Sequence, residues 1–96
     1  MVSTRHVMNV TLDPNGVQRE LALVKVRGTG GDRVEALRIA DIFRAHVVDT
    51  TTQSFIFELT GAPSKIDKFT DLMRPLGLVE VSRTGVLSIE RGEETL

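Results

Sequence analysis

The side chains in this 96-residue sequence that could do chemistry are few and scattered. His6 and His46 are the only histidines, and neither has carboxylates around it at ligand spacing, so neither marks a metal site or a general base. His46 is better placed at the C-terminus of a helix, where its charge would be favoured. Asp41, Asp49, Glu58 and Glu80 fall on different predicted elements, so spacing assembles no carboxylate pair and they read as solvated or paired surface charge. No Ser-His-acid set and no lysine-based nucleophile set is visible. Gly28-Thr-Gly-Gly31 sits between a strand and a helix, where phosphate-cradling turns occur, but its spacing matches neither the dinucleotide fingerprint nor the P-loop. The geometry of a strand-to-helix turn accounts for those glycines. Phe55 and Phe57 alternate as in an RNA-recognition platform, yet the basic-Gly-aromatic motif is absent, and two core phenylalanines is the better reading.

Composition narrows the classes further. With 41% hydrophobic and 26% charged residues the chain suits one small globular domain with a single core. It contains no cysteine, which excludes disulfides, thiolate nucleophiles and cysteine-based metal sites and suits a reducing compartment. A formal net charge of -1 supplies no basic field for a phosphate backbone. No apolar run approaches the roughly 20 residues that span a bilayer, and no secretory signal opens the chain, so the expected location is cytoplasmic.

The elements that must position these residues begin with Val17–Arg27, dense in β-branched and aliphatic residues and read as a central strand apolar on both faces. The spacing predicts a helix over Asp32–Ala45, with Ala36, Ile39, Ala40 and Phe43 on one face and Asp32 as N-cap or first-turn acid. His46–Thr50 and Ser54–Thr60 read as a hairpin around Thr51-Thr-Gln53. Gly61-Ala-Pro-Ser64 breaks the strand, and Ser64 with Asp67 resembles a capping pair for a second helix carrying Ile66, Phe69, Met73 and Leu76. Leu78–Ser82 reads as a fourth strand that resumes as Gly85–Ile89 after a break at Gly85. Residues 1–16 read as a linker or an extra edge strand, 17–92 as the domain and 93–96 as a frayed tail.

The order β-α-β-β-α-β predicts a ferredoxin-like (ACT-like) α+β fold, strand order 4-1-3-2, with two helices on one face of an antiparallel sheet. The covered face would carry Ala22, Val24, Val26, Phe55, Phe57, Leu59, Val79 and Val81. The opposite face would carry Leu21, Leu23, Lys25, Ile56, Glu58, Leu78 and Glu80, with Lys25 between strands bearing Glu58 and Glu80. So apolar a face, with charges arranged for pairing, marks a candidate protein interface.

The segments RELALVKVRG (Arg19–Gly28), EALRIADIFRAHVVDTT (Glu35–Thr51), SFIFELTGAPSKIDKF (Ser54–Phe69) and LVEVSRTGV (Leu78–Val86) closely resemble the C-terminal domain of the small, regulatory subunit of acetolactate synthase, also called acetohydroxyacid synthase. The resemblance runs from about Arg19 to Gly92, and the ordered set IFRA, VVD, KIDKF and EVSRTG is specific to it. It implies a non-catalytic protein of valine, leucine and isoleucine synthesis that homodimerises and partners a large catalytic subunit. That subunit would hold thiamine diphosphate, magnesium and FAD, with no cofactor in this chain. Arg44, Arg83 and Thr84 stand in the motifs without an assigned role. The family's valine site lies in an N-terminal ACT domain, and Met1 falls where the interdomain linker is expected. The sequence therefore reads as an excised domain, a misplaced start or a stand-alone version, and no valine-binding residue is carried over. A stand-alone ACT-like amino-acid sensor is the alternative, and an acylphosphatase-type enzyme using Gly28–Gly31 beside Arg27 ranks third.

Overall fold

The computed structural model describes residues 16–93. The expectation of a linker or edge strand falls almost wholly outside the described residues. The elements are β1 (Val17–Arg27), α1 (Gly30–Ile42), β2 (His46–Thr50), β3 (Ser54–Gly61), α2 (Pro63–Met73) with a 3-10 turn over Arg74–Leu76, β4 (Leu78–Arg83) and β5 (Leu87–Ile89). The antiparallel sheet runs β2-β3-β1-β4, the ferredoxin-like order, and β5 pairs with β1 as well.

Alternation along β1 sends Ala22, Val24 and Val26 into the core, where they meet Phe55, Phe57 and Leu59 of β3. Ala36, Ile39 and Ala40 of α1 and Ile66, Phe69 and Met73 of α2 close the same core from above. Phe69 is its pivot, edge-on to Phe57 at 5.9 Å and to Phe43 at 5.4 Å between ring centroids. The two phenylalanines of β3 are core residues, as the sequence reading preferred.

Gly77 is a position only glycine can hold. Its φ is +105°, and a Cβ there would overlap the Arg27 carbonyl oxygen, while its own carbonyl accepts the Arg27 N–H at 2.8 Å. This close approach lets the chain leave the 3-10 turn directly into β4 beside β1.

Several expectations are corrected. α1 begins earlier and ends earlier than Asp32–Ala45, because Arg44 turns left-handed at φ +60° and stops it. His46 is therefore no helix terminus; it opens β2, exposed and opposite Glu58. α2 has no side-chain cap: Ala62 precedes it in an extended conformation, Pro63 starts it, and Asp67 is engaged by Arg83 instead of serving a Ser64 capping pair. Asp32 does lie in the first turn of α1.

The faces of β4 are also corrected. Lys25 pairs with Glu80 but Val26 pairs with Leu78, so Val79 is an inserted bulge residue. A one-residue slip exchanges the two sides of a strand. Leu78 therefore packs against the core, not on the open face, and Val79 is 50% exposed instead of covered.

Candidate protein-interaction face

The odd-numbered residues of β1 line the sheet face away from the helices, and register brings their neighbours to them. Leu23 lies between Glu58 of β3 and Ser82 of β4, and Lys25 between Ile56 and Glu80. Lys25 Nζ stands 3.4 Å from Glu80 Oε1, with both side chains exposed, so the pair orders the surface more than it stabilises it. Glu58 faces Leu23, not Lys25, so of the two carboxylates flanking the lysine in the sequence reading only Glu80 is paired with it. Leu23, Lys25, Ile56, Glu80 and Ser82 enclose a shallow hollow of about 160 Å³.

The same face continues along β5. Arg19 pairs with Leu87 and Val17 with Ile89, and these two β5 side chains are 75% and 71% exposed. Between the two regions, Leu21, Thr60, Val86 and Leu87 border a mostly apolar hollow of about 460 Å³. Six of the seven residues expected on this face are on it: Leu21, Leu23, Lys25, Ile56, Glu58 and Glu80. Leu87 and Ile89 join them, which their odd–odd alternation after Gly85 would have indicated.

Arg83 and Thr84 are fixtures of the fold. Arg83 Nη2 donates to Glu20 Oε1 and Nη1 to Asp67 Oδ1, each at 2.6 Å, tying the β1–β4 edge to α2. The hydrogen bonds Arg83 donates to Glu20 first and Asp67 next outweigh desolvation and raise its pKa above the ordinary arginine value. Glu20 Oε2 accepts the Gly85 N–H at 3.2 Å, and Gly85, at φ +88°, lies in the break between β4 and β5. Thr84 Oγ1 replaces a strand carbonyl by accepting the Leu21 N–H at 3.1 Å, and its own N–H donates to the Leu21 carbonyl at 3.0 Å. Glu20 was missed by sequence reading, though a carboxylate on the core-facing parity of β1 was the available signal.

Arg44 differs from Arg83: it is exposed, and among the described residues its side chain makes no hydrogen bond or ion pair. Among the described residues no three His, Asp or Glu side chains cluster as metal ligands, and no helix is long and apolar enough to cross a membrane.

A ferredoxin-like domain with two helices over one sheet face, and an apolar, ion-paired surface on the other, is the class of protein that fold and surface define. The family profile for the small subunit of acetolactate synthase matches residues 19–92, and the chain belongs to that family. It is 40% identical to the acetolactate synthase small subunit of Mycolicibacterium smegmatis, across 83% of this chain and 47% of that protein. Identity to the Haemophilus influenzae small subunit is 36%, across 100% of this chain and 59% of the relative. The crystal structure of the Thermotoga maritima small subunit superposes with a TM-score of 0.77 at 36% identity, covering 85% of this chain and 52% of that one. The chain thus spans about half the length of the curated relatives it matches.

Proposed function

We propose that this chain is a non-catalytic regulatory module of acetolactate synthase, acting in the cytoplasm in valine, leucine and isoleucine synthesis. It pairs with a second copy through the bare sheet face and binds and activates the large catalytic subunit. The observation that carries this reading is the family match over residues 19–92 joined to a sheet face too apolar to stand in water. Leu21, Leu23 and Ile56 supply the apolar centre of that face. Lys25 and Glu80 place both signs of charge beside it, so a two-fold axis could set the lysine of one copy against a glutamate of the other. Thiamine diphosphate, magnesium and FAD belong to the catalytic subunit in this reading, and valine recognition to the family's ACT domain. The module proposed spans 17–92.

The test is acetolactate formation by the catalytic subunit of the same organism, with and without the chain, at zero and saturating valine. Stimulation that valine does not reverse is the expected result. A folded chain that leaves the rate unchanged would count against activation by these residues.

A further inference from the structure

The sheet has two outer edges, β2 on one side and β4 followed by β5 on the other, and among the described residues no strand lies beyond either. An open edge presents a row of backbone N–H and C=O groups on which another chain can add a strand. Each of these edges carries an extra residue. In β2, Val47 pairs with Phe57 and Asp49 with the adjoining Ile56, so Val48 is inserted. In β4, Leu78 pairs with Val26 and Glu80 with the adjoining Lys25, so Val79 is inserted. The ladder between the inner strands runs without a shift, from Glu20 to Arg27 on β1 against Gly61 to Ser54 on β3. Irregularity is confined to the strands that form an edge.

Core packing requires neither insertion. Val48 and Val79 are 52% and 50% exposed, and neither belongs to the core. An inserted residue bends its strand and increases the local twist, so the outward groups no longer form the flat, evenly spaced row that an incoming strand needs. The β4 edge has a second obstacle, since it breaks after Arg83 and resumes only as the three residues of β5. β2 has fewer. It contains neither lysine nor proline, all five of its residues are exposed, and β-branched residues run from Val47 to Thr52 with Asp49 alone interrupting them, a sequence well suited to pairing.

We infer that the bulges at Val48 and Val79 close the two sheet edges to strand addition by a second copy of this chain. Association between copies is thereby left to the open face, and that last step alone rests on the regulatory reading above. Deleting either valine restores the register and leaves every other residue of its strand on its present face, because the residues flanking it already pair with neighbours on the adjoining strand.

The test deletes these residues in the full chain carrying Leu23→Asp and Lys25→Glu, which disables the open face, and reads mass by sedimentation velocity with circular dichroism and melting temperature alongside. That parent is expected to be a monomer. With Val48 deleted it should double in mass, because two like edges meet antiparallel about a two-fold axis and close. With Val79 deleted the same step is expected at higher concentration, since the break after Arg83 still interrupts that edge. With both deleted, each copy has two open edges and the assembly grows without closing. Val48→Ala, which trims the side chain but keeps the inserted residue, should leave the monomer unchanged. Folded deletion chains no larger than the parent would overturn the assignment. So would failure of both single-deletion chains to fold, which would give the bulges to folding, or association by Val48→Ala, which would give the effect to the side chain. A parent that stays dimeric would count against the open face as the interface, and the edges would then be read from a further doubling in mass.

Discussion

Arg83 and Glu20 meet at 2.6 Å across the β1–β4 edge, with Glu20 only 6% exposed, so a carboxylate inside the domain is paired with a guanidinium. The same guanidinium reaches Asp67 on α2. The sheet and a helix are thereby joined by charge at the end of the domain where β4 gives way to β5.

Arg83→Gln would leave Glu20 buried without its cation. Breaking one partner of a buried pair costs about 3–5 kcal/mol, and the partial exposure of Arg83 reduces this to about 2–3 kcal/mol. Urea denaturation of both proteins measures it. The Arg83 pKa is raised in the fold, so its contribution is fully present below the ordinary arginine value and is lost only as pH rises through the still higher folded value. The difference between the two proteins should accordingly stay constant from roughly pH 7 to pH 10.

Gly77→Ala should be among the most damaging single-methyl changes in the chain. It adds a Cβ against the Arg27 carbonyl and asks alanine to hold φ +105°. Strain and overpacking together predict a loss of at least about 2 kcal/mol, read as a fall in melting temperature. A melting temperature equal to wild type would show that the β1–β4 entry is not so closely packed.

Leu78 and Val79 are neighbours in sequence with opposite fates. Leu78→Asp is expected to cost more than about 2 kcal/mol by placing a charge against the core, and Val79→Asp about 0.5 kcal/mol or less. Equal losses in parallel urea titrations would contradict the bulge.

Leu23→Asp combined with Lys25→Glu should weaken self-association while leaving the monomer folded, because both side chains lie on the open face. Sedimentation velocity gives the answer, and an unchanged dimer would remove that face from the interface. Circular dichroism confirms that the variant is folded.

The order of elements, the strand order and the core were all legible in the sequence, because alternation along β1 and β3 and helical spacing through Ile66, Phe69 and Met73 are local patterns that burial enforces. The family was legible too, from motifs whose reading requires no coordinates. What sequence could not reveal depends on register between segments far apart. The bulge at Val79 exists because β4 must meet β1 on both sides of one extra residue, and that slip moved Leu78 from the open face to the core. Arg83 and Thr84 were motif residues without an assigned role until the fold brought Glu20, Asp67 and the Leu21 backbone to them. Tertiary structure alone decides whether a polar motif residue is spent inside the domain or left over, as Arg44 is, because its partners lie on other elements and pairing is set by three-dimensional distance.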